Sequence, residues 1–459
     1  MIEQEAAINL MYLMELSEDP ANTSRYFEEL NQYLSDEGCT FFDGPLPTLL
    51  KPQFLTVEQV NHLDHVVKAI SSALGKLIDR YLQDEDLRAM MQFSDTENEF
   101  FAIDPCYKVP LVISRLDAFM SGYDIKFLEF NCDSPAGSSY ADVIESAFKA
   151  LLEKMSVLKR WQIDYVNRQE HLLNALLQCY AEFRSRHTQF PEKPTIAIVD
   201  WDDVMTASEF GLLQNFISQR GYKTIVTSPQ QFKIQGDQMV AAGEAVHLIY
   251  RRVITRELIE NRSKAEAFIT GIKDHLACVV NPFRSFIVGN KKILAALTDE
   301  RFQPIFSQTE RDVISSTIPW TKVLADEKAI YHGFVVNLKP FIIDNQEKLV
   351  LKAAVSYGGK DVFLGCETDS QKWASVVAEH IDSQAWVVQE YTPIPQEMFP
   401  VIEHGNVNFK LKKVNLNPWA FLGRYGGAIS RISDNSIVNV SQGGGIIPTI
   451  CFRKRKHQR

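Results

Sequence analysis

In the stretch KFLEFNCDSPAG, residues 126–137, Glu129, Asn131 and Asp133 occupy alternate positions of a segment that begins as a buried strand. The preceding run LVISRLDAFM carries Arg115 and Asp117 with the same spacing, and Ser121, Gly122, Tyr123 and Asp124 between the two runs read as a hairpin turn. A hairpin centred on Tyr123 sets Asp117 opposite Glu129 and Arg115 opposite Asn131, all on one face. Two carboxylates at about 5 Å repel by ~3 kcal/mol at an effective dielectric near 20, whereas a good cross-strand pair contributes ~1 kcal/mol or less. Something positive must sit between them. Oxygen ligands without His or Cys favour a hard cation, and Mg²⁺ shared with substrate phosphates is the usual case. The plainer reading is a solvated strand face answered by Arg115 alone; Phe127, Leu128 and Phe130, which read as buried, favour the metal. Without the cation these ligands repel one another, so substituting them is expected to cost turnover far more than stability.

A second constellation is LVLKAAVSYGGKDVFLG. Lys352 ends an apolar strand, and the loop of Ser356, Tyr357, Gly358 and Gly359 can bring backbone N–H groups close to phosphate oxygens. Taken alone, a Gly-Gly hairpin beside a surface lysine explains it equally well. Its neighbours add weight: Lys291 and Lys292 open a helix upstream, and the strand AWVVQEY ends in Gln389, Glu390 and Tyr391, placed as a hinge that can bond an adenine edge. Protein kinases combine similar parts, but this chain has neither HRD nor DFG, and its lysine precedes the glycines. Cys132 points away from Asn131 and reads as a buried structural thiol rather than a nucleophile.

These residues need elements to position them. The chain has 459 residues, 45% of them hydrophobic and 23% charged, which suits two or three globular domains. Residues 1–100 alternate apolar and charged positions at helical spacing, a helical leader. Residues 101–190 hold the two strands and following helices. In 191–285, short apolar strands alternate with amphipathic helices, TIAIVDW to LACVV, which implies a parallel sheet with crossovers. No GxGxxG follows its first strand and no P-loop occurs anywhere. Residues 286–400 carry the lysines, loop and hinge; 401–459 are strand-like runs with glycines, ending in the basic tail RKRKHQR, read as a solvated, disordered end.

A net charge of −10 gives no reason to expect nucleic acid as a partner. Seven dispersed cysteines without a CxxC or Cys/His cluster argue against a disulfide framework or structural zinc and read as buried thiols. The acidic N-terminus and the absence of a long apolar run point to a cytoplasmic protein without a membrane partner.

In this order the motifs resemble the ATP-grasp ligases, specifically the circularly permuted branch that includes the synthetase domain of glutathionylspermidine synthase. RLDAF and LEFNCDSP match the metal strands of that branch, NPFRSFIVGNKKILAAL the segment of the first ATP lysine, VLKAAVSYGGK the second lysine and loop, VVQEY the hinge, and GRYGGAISRISDNSIVNVSQGGGIIP the closing segment, with Arg431 in R-I-S. The resemblance covers most of the chain after about residue 100. It implies an α/β (α+β) ATP-grasp fold in permuted order, with a Rossmann-like pre-ATP-grasp domain at 191–285 and a helical N-terminal region. It further implies ATP and Mg²⁺, metal ligands Asp117, Glu129 and Asn131, and ATP contacts from Lys292 or Lys291, Lys352, Ser356–Gly359 and Gln389–Tyr391. Arg115 and Arg431 would be catalytic, and Ser134 and Asp133 would touch substrate. The chain departs from some relatives in lacking a recognisable amidase Cys/His pair and in placing Ala136 where a second serine is expected.

The implied activity is a carboxylate–amine ligase that forms an amide through an acyl phosphate, releasing ADP and phosphate, with a small-molecule or peptide carboxylate and an amine as partners. The alternatives are a nucleotide-binding regulatory or scaffold protein and a kinase-like phosphotransferase.

Overall fold

A computed structural model describes residues 2–41, 44–356, 360–403, 406–438 and 443–455. The chain is a mixed α/β protein built on three main sheets. The largest has eight strands, six of them in the order Gln53–Thr56, Gly445–Lys454, Arg424–Ser433, Asn406–Phe421, Ile113–Ser121 and Asp124–Asn131. The strand Gln396–Glu403 pairs with Asn406–Phe421, and Trp161–Asp164 pairs with Gly445–Lys454.

Helices cover both faces of this sheet. The helix Val57–Tyr81 starts at a capping box made by Thr56 and Gln59 and buries Leu63, Val66, Val67, Ile70, Leu74, Leu77 and Ile78, the stripe that helical periodicity sets toward a core. Leu416, Ala420 and Ala428 of the sheet join it in one core cluster. Trp419, Phe421 and Ile429, on the opposite face, pack with the helices Ser138–Leu152 and Arg168–Arg186.

The four strands Cys278–Val280, Leu248–Arg251, Ile196–Val199 and Thr224–Thr227 form, in that order, a wholly parallel sheet, as the alternation of apolar strands and amphipathic helices predicts. Each of these strands is almost wholly buried, apart from the edge strand Thr224–Thr227. A small antiparallel sheet of Lys233–Gln235, Gln238–Ala241 and Glu244–Val246 falls between two expected strands. Its runs of three or four residues are too short to show a period, and Gly236 and Gly243 supply left-handed turns.

The third sheet, Thr321–Val323, Trp386–Glu390, Leu349–Ala353 and Val362–Leu364, is antiparallel and has its own core, centred on Trp373 with Leu338, Ile342, Leu351 and Val388.

Three expectations change. The first hundred residues are not only a helical leader, because Gln53–Thr56 pairs in parallel with the last strand. The basic tail begins inside that strand: Arg453 pairs with Asp164, the Arg455 amide donates to the Arg160 carbonyl, and Phe452 is buried. Lys456 to Arg459 lie outside the described residues. Of the seven cysteines Cys366 is exposed and Cys451 only partly covered; the rest are buried. No helix among the described residues is long and apolar enough to cross a membrane.

Candidate functional site

The two early strands pair antiparallel with Asp117 opposite Glu129 and Arg115 opposite Asn131. Nearer the turn the register differs by one: Ala118 faces Phe127 and Ser121 faces Asp124, so the turn is Gly122-Tyr123. Leu128 is the extra residue, a β-bulge. It explains why Phe127 and Phe130, an odd number of positions apart, both enter the core while Leu128 and Glu129 both line a cleft. Leu128 is therefore half-buried, not a core residue.

That cleft, about 120 Å³, lies between the hairpin, the antiparallel sheet of 321–390 and the long strands of the C-terminal region. Its cations are Lys291, Lys352 and Arg431, its carboxylates Asp117, Glu129 and Glu390, and its apolar walls include Leu128, Val350, Val362 and Ile394.

The positive charge required by the facing carboxylates comes from the protein itself. Asp117 accepts from Arg115 Nε at 2.9 Å and Nη2 at 3.3 Å, and from Arg431 Nη1 at 3.1 Å. Burial alone would raise the Asp117 carboxyl, but the two guanidiniums outweigh it and hold it below the usual carboxylate range. Glu129 pairs with Lys291 Nζ at 3.2 Å. Arg115 places its remaining Nη1 on the Ala136 carbonyl at 2.8 Å, so it orients Asp117 and only Arg431 of the two arginines lines the cleft.

No group of three His, Cys, Asp or Glu among the described residues gathers as a metal site. The set Asp117, Glu129 and Asn131 nonetheless fits a hard cation in donor type. All three offer oxygens, and the buried Asn131 Nδ2 lacks a partner among the described residues, which leaves that amide free to reorient. Asp117 would be shared with its arginines, and Glu129 would exchange Lys291 for the metal.

The two adjacent lysines separate. Lys291 lines the cleft and donates to the Ser356 carbonyl at 2.9 Å. Lys292, one residue on, turns the other way and donates to the Met90 and Met91 carbonyls at 3.1 and 3.2 Å, closing the end of the helix Glu85–Met91. Lys352 reaches Gln389 Oε1 at 2.6 Å and the Leu128 carbonyl at 3.2 Å, an acceptor that the bulge turns out of the ladder. Burial pushes the Lys352 ammonium down to about 8, helped by Lys291 and opposed by Glu129.

Gln389 is buried between Lys352 and Thr321, donating to Thr321 Oγ1 at 2.9 Å. The amides of Glu390 and Tyr391 donate to the Trp320 and Lys348 carbonyls, so these two hinge N–H groups are engaged within the sheet. Ser356 sits at the edge of the loop, its Oγ on the Lys360 carbonyl. Tyr357, Gly358 and Gly359 lie outside the described residues.

Asp133 and Ser134 take internal partners. Asp133 accepts from Arg251 Nη2, Thr255 N and Thr255 Oγ1, each at 2.7 Å, which ties the hairpin to the parallel sheet. Ser134 Oγ donates to the Arg252 carbonyl. Both border a second cavity of about 70 Å³ that shares Glu129 and Lys291 with the cleft and is closed by Ile254, Phe286 and Ser356.

Asn415 was not singled out by sequence reasoning, yet it lines the cleft, faces Arg431 across the ladder and donates to the Ala118 carbonyl at 3.0 Å. The signal was present: in VNLNPWAF, Asn415 and Asn417 interrupt an apolar run at a two-residue spacing, and both are buried. Ser436, Ile437 and Val438 complete the wall. A site of this kind, with clustered cations at one end and apolar walls at the other, can hold a polyanion joined to a flat apolar group.

The family model for glutathionylspermidine synthase preATP-grasp matches residues 51–410. No curated protein sequence matches the chain. Among solved structures, a glutathione synthetase-like effector from Globodera pallida in its apo form is similar in fold, with a TM-score of 0.66 at 11% identity, covering 94% of this chain and 97% of that one. A putative gamma-glutamylcysteine synthetase from Methylobacillus flagellatus covers 85% and 86% at 9% identity, with a TM-score of 0.38.

Proposed function

Because the chain belongs to the glutathionylspermidine synthase preATP-grasp family, we propose that it is an ATP-dependent carboxylate–amine ligase, with the ATP-grasp parts in permuted order. The observation that carries this reading is the convergence of Asp117, Glu129, Lys291, Lys352 and Arg431 on one cleft from sequence segments more than three hundred residues apart. Within it, residues 101–190 and 401–459 supply the metal strands and closing segment, 191–285 the pre-ATP-grasp domain, and 286–400 the nucleotide-binding part.

In this reading Lys291, Lys352 and Arg431 bind the phosphates of ATP, the apolar walls take the base, and the loop carrying Ser356, Tyr357, Gly358 and Gly359 covers the phosphates. Mg²⁺, when held by Asp117, Glu129 and Asn131, supplies charge neutralisation on the phosphate oxygens. Arg115 is a positioning residue that fixes Asp117 and, through it, Arg431. The cavity beyond Glu129 and Lys291 receives the carboxylate substrate. Its oxygen attacks the γ-phosphorus, ADP leaves, and an amine then attacks the acyl carbon and expels phosphate, with Arg431 stabilising the charge that develops on the transferring group. No protein nucleophile is required.

ADP release, measured over pooled amino acids, short peptides and polyamines, is expected to require both a carboxylate and an amine. With a carboxylate labelled by ¹⁸O at both positions, one label should pass to phosphate for each amide formed. Unlabelled phosphate beside accumulating amide would overturn the acyl-phosphate route. Release of ADP with no need for an amine would favour a phosphotransferase, and ATP binding without turnover under any pairing would favour a nucleotide-binding module.

A further inference from the structure

A groove of about 470 Å³ shares no lining residue with the cleft or the cavity beside it. One wall is the helix Val57–Tyr81, which contributes Lys68, Ser71 and Lys76; the others are the segment 108–111 and the turn 422–424, with Lys108 and Arg424. At 1.5 Å per residue, Lys68 and Lys76 stand about 12 Å apart along the helix. Lys76 is paired with Glu310 at 2.6 Å, and Ser72 donates to the same carboxylate. Lys68, Lys108 and Arg424 have no ion pair among the described residues, and the one carboxylate lining the groove is Asp79. Glu182 approaches only the Lys108 backbone amide, at 2.9 Å.

Three cations without an ion pair among the described residues, gathered in one concavity of a chain with net charge −10, are out of keeping with its average surface. A concave wall also focuses their field. A second observation points the same way: Ser71 is 6% exposed, and its Oγ is buried at the groove without a hydrogen-bond partner among the described residues. A buried hydroxyl left without a partner is unfavourable, and an acceptor bound in the groove would satisfy it. Val109, Pro110, Leu111 and Leu422 make the floor apolar. The volume falls within the range of roughly 300–1,000 Å³ usual for small-molecule sites.

We propose that this groove is a second ligand site, which binds an elongated organic polyanion through Lys68, Lys108 and Arg424, with Ser71 donating to one of its oxygens and Val109, Pro110 and Leu111 against its body. The negative groups are phosphates or carboxylates, both of which these cations recognise.

The test is calorimetric titration of the full chain with tripolyphosphate and, separately, citrate, in a Lys352→Ala background that weakens the cleft. At least one probe should bind, and which one identifies the anionic group. Adding Lys68→Ala, Lys108→Ala and Arg424→Ala together should weaken that binding tenfold or more, Arg424→Lys should largely retain it, and Ser71→Ala should weaken it with no change in circular dichroism. These three cations are exposed, so the triple variant is expected to fold. Binding undiminished in the triple variant, or no binding of either probe at low ionic strength, overturns the site.

Discussion

The Asp117 carboxylate is where charge balance and chemistry meet. It is buried between Arg115 and Arg431, with its side chain 4% exposed. Its removal leaves two guanidiniums facing each other, so Asp117→Asn should destabilise the ligand-free protein by about 3 kcal/mol or more in urea unfolding, as broken buried pairs do. The Glu129 side chain is 35% exposed and its partner, the buried Lys291, keeps the Ser356 carbonyl, so Glu129→Gln should cost less stability than Asp117→Asn while reducing turnover at least as much. Equal stability losses would show that the arginines do not hold Asp117. For Asp117 a stability cost is expected beside the loss of turnover, because the protein carries its own counter-charges there. Because Asp117 is held below its unfolded value, its contribution is present at neutral pH and is lost as pH falls through the folded value. Lys352 has the opposite character. Burial pushes its ammonium down to about 8, below the unfolded lysine value, so the unfolded chain binds the extra proton between the two values and stability rises with pH in that window. Phosphate binding favours the charged form, so ATP affinity should fall as pH rises above about 8 and binding should take up a proton there. Calorimetry in buffers of different ionisation enthalpy measures it; affinity that is flat through pH 9 with no proton uptake would remove Lys352 from the phosphate contacts.

At the scale of the element, the bulge at Leu128 is the feature with a functional consequence. Deleting Leu128 leaves Asp117 opposite Glu129, because the rest of the hairpin already runs in the register that the deletion would make continuous. It also removes the Leu128 carbonyl that Lys352 uses, and no carbonyl of the now regular ladder takes its place. The variant should therefore fold with near-native circular dichroism yet bind ATP about tenfold more weakly, the order expected for a mispositioned charge contact to phosphate. Native affinity in a folded variant would show that the bulge serves only the twist of the strand.

At the scale of the whole molecule, the sheet of 321–390 has a core separate from those of the rest of the chain, and it meets the hairpin across the cleft. A ligand bound there would stabilise that sheet against local opening by its own binding free energy. ATP with Mg²⁺ should therefore slow amide exchange about tenfold or more in Leu349–Ala353 and Trp386–Glu390, and leave the parallel strands Ile196–Val199 and Leu248–Arg251 unchanged. Uniform protection of all four strands would mean that the two parts do not move separately.

Local pattern was enough to read the hairpin pairing at Asp117 and Glu129, the parallel sheet of 196–280 and the lysine strand of 349–353, because each depends on side-chain periods of two or 3.6 and on nearby turn residues. Four things depended on contacts between distant segments. Arg431 and Asn415 reach the hairpin through strand pairing across some three hundred residues. Lys291 and Lys292 are adjacent and chemically identical, and only the helix end at Met90 and Met91 takes one of them away. Asp133 reads as a free ligand until Arg251 and Thr255, brought by the parallel sheet, saturate it. The strand Gln53–Thr56 gains its parallel partner from the opposite end of the chain. Residue types and local spacing determine which groups can do chemistry; which of them stay free to do it is decided by burial and by the partners that tertiary packing supplies, since a polar group in the interior takes whatever partner is within reach.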